Sequence, residues 1–318
     1  ISMSLPKFEN PDFMDFFFYW EKETPHAIFL KQPKGKEWTT YTYQEVGQQA
    51  RKLAAFLENK GVKKNTHVGI ISKNCAEWII TDIALLLLEA ISTPFYPNLN
   101  AAEFEVVLKE SDSKFLFAGK LETWNQIKTV IPNDVEIFTF KDHPGHVKID
   151  LGTHWEDIQN TTEPKDYQPN YGNDDIWTIL FTSGTTGTPK GVMLTYGNMR
   201  HIIDVETTNH EIGIAQIVGN AHFISVLPLN HIGERMAVEM AAFITGGTVS
   251  FVENIDTFIH NIQDAQPTLM FTVPHLWSKF QLGVLEKMPQ KRLDFLFKIP
   301  IINNIVKKKI KQKLGLSR

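Results

Sequence analysis

"THVGIISKNCAEWIITDIALLLLEAISTPFY", Thr66 to Tyr96, decides the fold class. It opens on a short β-branched run, "THVGIIS". It continues through "CAEWIITDIALLLLEA", too long for a strand and apolar enough to be a mostly buried helix, and closes on a second strand, "ISTPFY". Two short runs around one of helical length make a strand–helix–strand unit, which joins parallel neighbours in a sheet. The pattern extends both ways. Upstream, "TYQEVGQQARKLAAFLENKG" offers Thr42 as an N-cap, Leu53, Phe56 and Leu57 on one face, and Gly61 beyond the last turn, which predicts a helix. Downstream come "AAEFEVVLKESD" (helix), "KFLFAG" (strand), "LETWNQIKTVI" (helix) and "VEIFTF" (strand). After residue 200 the alternation resumes with "FISVLPL", "GERMAVEMAAFITGG", "TVSFVE", "IDTFIHNIQDAQ", "TLMFTVP" and "HLWSKFQLGVLEK". The expectation is an α/β fold: two α/β subdomains, residues 1–200 and 201–318, with mostly parallel sheets covered by helices.

Bulk composition agrees with a packed, globular chain. Of 318 residues, 42% are hydrophobic and 21% charged, enough apolar surface for a large core and too much for a disordered polymer. No apolar run approaches the roughly 18 residues of a membrane span, because Asp82 and Glu89 interrupt the longest one. The start has no basic segment followed by an apolar one, and the single Cys75 suits a reducing compartment, so a cytoplasmic protein is expected. Charge is unevenly spread. Residues 279–318 carry 11 Lys and Arg against 2 Asp and Glu, net +9, which leaves net −13 on the rest. In that tail Ile302, Ile305, Val306, Ile310 and Leu314 can share a helical face amid Lys307, Lys308, Lys309, Lys311 and Lys313. The face suits peripheral contact with an anionic membrane, or packing on further protein.

A second stretch carries chemistry: "LFTSGTTGTPKGVMLT", Leu180 to Thr195. Gly184, Gly187 and Gly191 permit close backbone approach, so that successive N–H groups can converge on an anion. Thr182, Ser183, Thr185 and Thr186 add hydroxyl donors and Lys190 a cation, a set suited to a polyphosphate. It is not a Walker A loop, because Pro189 stands where the second Gly belongs and Gly191 where the Ser/Thr belongs. The segment after Lys190 also reads as a strand, where a Walker lysine opens a helix. A purely structural Ser/Thr/Gly turn is the alternative.

"FTSGTTGTPKGV" resembles the signature loop of the adenylate-forming superfamily, the acyl-CoA synthetases, firefly luciferase and nonribosomal peptide adenylation domains. "WTTYTYQEV", "THVGIISKNCAEWIITDIALLLLEAISTPFYPNLNAAE" and "LPLNHIGER" are similar to the long-chain acyl-CoA synthetase branch, and the resemblance runs from about residue 26 to 318. It implies a fatty acid–CoA ligase. A fatty carboxylate attacks the α-phosphate of ATP, giving acyl-adenylate and pyrophosphate, and the thiol of coenzyme A then displaces AMP. On this resemblance Thr182, Ser183, Gly184, Thr185, Thr186, Gly187 and Lys190 would bind the nucleotide phosphates. His231 would be catalytic, at the junction of acyl pocket and α-phosphate.

The resemblance further implies that Mg²⁺ arrives with ATP, that coenzyme A is co-substrate and that nucleic acid is no partner. No cluster with metal-ligand spacing is seen in the sequence. Glu234 and Arg235 either touch the substrate or pair with neighbours at a helix start, and the aromatics of "PDFMDFFFYW" are expected in the core. Members of the branch are longer and carry, further on, adenine- and ribose-binding residues, a hinge and a C-terminal domain with the catalytic lysine. An N-terminal fragment, inactive by itself, is therefore expected, with the 201–318 subdomain incomplete and the catalytic-lysine domain absent. A non-catalytic nucleotide- or acyl-binding truncated paralogue is the alternative.

Overall fold

The computed structural model describes residues 4–182, 189–209 and 213–317. Its strands are β1 (Ile28–Lys34), β2 (Glu37–Thr42), β3 (His67–Ile71), β4 (Ile91–Phe95), β5 (Phe115–Ala118), β6 (Glu136–Thr139), β7 (Thr153–His154), β8 (Ile176–Thr182), β9 (Lys190–Thr195), β10 (His222–Ser225) and β11 (Thr248–Phe251). Seven form one sheet in the order β7-β6-β5-β3-β4-β8-β9, and four form another, β10-β11-β1-β2. Every neighbouring pair is parallel except β1–β2 and β8–β9. This is the mixed α/β architecture expected, built on parallel strands with helical crossovers.

The opening strand–helix–strand unit is at its centre. β3 pairs in parallel with β4, His67 opposite Ile91, and the connecting helix Ala76–Leu87 has all twelve residues buried. That helix touches β4 of one sheet and β1 of the other, so both of its faces are covered. A helix with no solvent face loses the 3.6-residue alternation, which is why its sequence reads as a nearly continuous apolar run.

The two sheets do not divide at residue 200. β1 and β2, from the first half, pair with β11 from the second, Leu30 opposite Val249. The segment "TLMFTVP" is a further difference: Leu269 makes a single bridge to Phe223 and no ladder follows.

The N-terminal aromatics are core, as expected. Helix Phe13–Glu23 is capped reciprocally by Asp12 and Asp15 and buries Phe13, Met14, Phe16, Phe17 and Trp20. Phe17 packs on Phe29, Tyr43 and Phe243, which ties the N-terminal helix to the second half of the chain. Gly246 has φ +66°, and a Cβ there would lie 2.5 Å from the Trp20 ring, so both backbone and neighbour require glycine.

The basic tail is helical over Pro274–Lys287, Gln290–Phe297 and Pro300–Leu314. Only part of its apolar stripe is covered. Leu314 packs with Ile224, Phe258, Ile262 and Phe280, Ile302, Val306 and Ile310 are half-buried, and Ile305 is 50% exposed, with Ile301, off the stripe, 77% exposed beside it.

Candidate functional site

β8 lies in parallel beside β4, and Ile179, Leu180 and Phe181 are buried, so the strand is fixed almost to its end. There it turns into β9, and Thr182 faces Lys190 across the antiparallel ladder, both side chains exposed. Gly191 follows where a Cβ would come within 2.8 Å of Ile179. The arrangement puts a hydroxyl and an ammonium at the carboxyl end of a parallel strand, where open α/β sheets bind ligands. Ser183, Gly184, Thr185, Thr186 and Gly187 lie outside the described residues. Lys190 is in an extended strand, which separates this hairpin structurally from a Walker loop.

The "LPLNHIGER" stretch follows β10. The His231 backbone opens a helical turn, its Nδ1 accepts from the Gly233 N–H at 3.1 Å, and its ring is exposed. Glu234 is buried. Its Oε1 accepts from the Ser225 hydroxyl and the Val226 N–H, both at 2.8 Å, while burial pushes the carboxyl up to about 8.

Arg235 is also wholly buried, and its guanidinium is occupied on every side. Nη1 donates to Thr178 Oγ1 at 2.9 Å and Ser92 Oγ at 3.3 Å, Nη2 pairs with Asp82, and Nε donates to Glu239 at 3.4 Å. The plane stacks 4.1 Å from the Trp177 ring. Of the two roles expected for Glu234 and Arg235, the structure displays pairing with neighbours.

From Arg235 to Met240 the helix widens to a π-helical turn, a feature frequent at functional sites. Beyond it lies an apolar cavity of about 380 Å³, lined among others by Ile202, Met236, Met240, Ile244, Leu269 and Phe271. Gly233 is part of its wall, so the His231 ring stands at the cavity's edge.

A second, more polar crevice of about 360 Å³ opens at the carboxyl ends of both sheets. Asn74, just after β3, donates to Ser225 Oγ (2.7 Å) and the Leu227 carbonyl (2.6 Å) and accepts from the Leu229 N–H (2.9 Å). Lys120, just after β5, donates to the carbonyls of Asn74 (3.0 Å) and Val252 (2.7 Å). Burial lowers its ammonium to about 8. These two residues clamp one sheet to the other beside the site.

One donor cluster is visible only in three dimensions: Cys75, Glu77 and His143 bring ligand atoms within 4.8 Å of one another. Cation binding is opposed there. The thiol and carboxylate sit at a helix N-terminus, Lys120 and Lys141 add positive charge, and Glu77 is already held by His143 Nε2 at 3.1 Å. We read it as a buried hydrogen-bonded Glu77–His143 pair beside a structural thiol, whose pKa burial raises.

A family profile described as AMP-binding enzyme matches residues 17–301. The chain belongs to that family. As an AMP-binding enzyme chain it is 26% identical to long chain acyl-CoA synthetase 3 of Arabidopsis thaliana, over 89% of this chain and 47% of that protein. It therefore spans about half the length of the curated relatives it matches. Among solved structures VinN superposes with a TM-score of 0.67 at 15% identity, covering 88% of this chain and 65% of the other. The Bacillus subtilis o-succinylbenzoate CoA synthetase in complex with ATP and magnesium superposes at 0.62 and 22% identity, over 80% and 62%. At such identities the structures establish the fold alone. No described helix of this AMP-binding enzyme chain is long and apolar enough to cross a membrane.

Sequence reasoning passed over Asn74, Lys120 and the cavity wall. Asn74 is the second residue after "THVGIIS" and Lys120 directly follows "KFLFAG", and the ends of parallel strands were the signal available. Met236 and Met240 carry no pattern that distinguishes a cavity from a core.

Proposed function

We propose that this chain serves ATP-dependent activation of a long-chain fatty acid to acyl-adenylate and acyl-CoA, as a fatty acid–CoA ligase. The observation that carries the reading is the cavity: its lining is almost wholly apolar, His231 stands at its edge, and its wall helix is hydrogen-bonded to β8, the strand that leads into the phosphate hairpin. An alkyl chain fits such a lining without burying an unpaired polar group. His231 then stands where the carboxylate emerges. Thr182 and Lys190, exposed and facing one another, suit the phosphates, and Lys190 forms no ion pair with the described residues. Adenylyl transfer asks of a protein chiefly position and charge compensation, which a hydroxyl and a fixed ammonium supply. Magnesium enters this reading with ATP, and coenzyme A as the second substrate. The alternative, a nucleotide- or acyl-binding chain without catalysis, is kept by its coverage of about half of its relatives' length.

Calorimetry with pyrophosphate tests the hairpin. Lys190→Met should weaken binding tenfold or more, because a charge-assisted contact contributes about 1.5–3 kcal/mol and tenfold is about 1.4. Unchanged affinity removes Lys190 from the site. ATP–pyrophosphate exchange with palmitate on the full-length protein separates catalysis from binding alone: a full-length protein that binds both ligands and exchanges nothing supports the alternative.

The exposed Ile301 and Ile305 among the lysines of helix Pro300–Leu314 fit this reading as the contact with the lipid surface that supplies the substrate. Co-sedimentation with vesicles should then increase with anionic lipid and fall with salt, and indifference to both rejects the contact.

A further inference from the structure

The wall helix of the cavity has two faces with different partners. Met236, Ala237, Met240, Ala241 and Ile244 line the cavity. Arg235 and Glu239 point the other way and are fully buried against the seven-stranded sheet and its central helix. Arg235 reaches three separate elements there: Asp82 in helix Ala76–Leu87, Ser92 in β4, and both Trp177 and Thr178 in β8. Thr178 and Ser92 also bond each other, the Ser92 hydroxyl donating to Thr178 Oγ1 at 3.0 Å and the Thr178 hydroxyl to the Ser92 carbonyl at 2.8 Å, so the acceptors are held before the guanidinium arrives. β8 is irregular at this point, its register shifting between Ile176 and Thr178, and four residues later it ends at Thr182.

Neutralising Asp82 would need only one cation of any shape. A planar guanidinium with donors fixed in direction does more, because it sets the orientation and register of the element that carries it. A buried ion pair is in general no more stabilising than an apolar replacement, so stability alone is a weak account of this cluster. We propose that Arg235 is a positioning residue that locks the cavity wall to β8, so that the depth of the acyl cavity and the position of the phosphate hairpin are set together. The proposal rests on the reading of the cavity as the acyl site. It assigns Arg235 no contact with substrate. Its consequence is chain-length selectivity: Met236 and Met240 stand where the register of this helix places them, and a helix released from β8 moves them.

The test uses the purified 318-residue chain with saturated fatty acids from eight to sixteen carbons, alongside hydrogen exchange without ligand. In the unmodified chain affinity should rise about fourfold per methylene until the cavity is full. Two variants loosen the lock. Arg235→Lys keeps the charge and loses the fork, and Thr178→Val keeps Arg235 with both carboxylates and removes one acceptor, so it serves if the first does not fold.

Either variant should displace the break in the chain-length series by two carbons or more. Exchange should accelerate at least tenfold both in residues 236–244 and in β8–β9. A lowered Tm with the break unmoved overturns the proposal, as does faster exchange confined to the wall helix. Failure of the unmodified chain to bind any of the acids would instead defeat the acyl reading of the cavity, and the exchange comparison then decides by itself whether Arg235 couples the helix to β8.

Discussion

Arg235→Leu should cost the chain about 3–5 kcal/mol of stability, the range expected when one partner of a buried ionic cluster is removed. Leucine fills the volume but leaves Asp82 and Glu239, both buried, without their cation. Burial first, and the charge of Asp82 second, already push the Glu239 carboxyl well above the usual range, with Arg235 the main opposing influence. Glu239 thus holds its proton already, and without Arg235 the buried Asp82 beside it must take one as well or remain an uncompensated charge. Ser92 and Thr178 lose little, since they still satisfy each other. The loss should therefore come almost wholly from the acids. Urea unfolding measures it, and a change below about 1 kcal/mol would show that the cluster is not the ionic unit described. The triple replacement of Arg235, Asp82 and Glu239 by apolar residues should be far milder than the single one, because it removes the charges along with their partner.

The parts of this fold that were legible in the sequence are those where local pattern and tertiary burial agree. "THVGIIS" and "ISTPFY" became β3 and β4 because short β-branched or apolar runs bounded by polar residues have few other ways to be buried. "GVMLT" became β9, which agrees with Pro189 and Gly191 in setting the β8–β9 hairpin apart from a Walker loop. What the sequence concealed was long-range. β1 and β2 lie near the N-terminus yet complete the sheet of β10 and β11, a pairing across more than 200 residues that no local window reports. "TLMFTVP" has strand composition, but Leu269 and Phe271 are used as cavity wall, and composition does not distinguish those uses. Asp82 is the instructive case. In the sequence it is a charge that breaks an apolar run and argues against a membrane span. Its partner stands 153 residues away, and only the fold makes it half of a buried pair.

Raising the pH from 5 to 9 should destabilise the chain, and Glu234→Gln should remove a defined part of that loss. The carboxyl is buried behind His231, and burial lifts it to about 8 in the folded state, partly opposed by its bonds from Ser225 and from the Val226 and Leu227 backbone. In the unfolded chain it titrates near 4.5. Between those values the folded state holds a proton that the unfolded state has released. The unfolded state then binds fewer protons, and stability falls as pH rises. The contribution is fully present below about 4.5 and lost once pH passes 8, and at about 1.4 kcal/mol per unit it amounts to about 5 kcal/mol.

Three other groups act on the same pH range, and Glu239, raised well above its usual range by burial and by Asp82, adds a loss of the same sign. Asp12, raised to about 6 chiefly by burial, adds a loss of the same sign that is complete near that pH. Lys120, lowered by burial to about 8 from 10.5, acts with the opposite sign above 8. Between pH 6.5 and 8 the proton on Glu234 alone accounts for a loss of about 1.5 kcal/mol by urea titration, to which Glu239 adds its own. Glutamine keeps an oxygen to accept from Ser225 and Val226 and carries no titratable proton, so the variant should lose about 1.5 kcal/mol less than the unmodified chain across the same window. An equal slope in both proteins would mean that Glu234 ionises normally in the fold, and that the end of β10 and the turn carrying His231 are held by something other than a neutral acid.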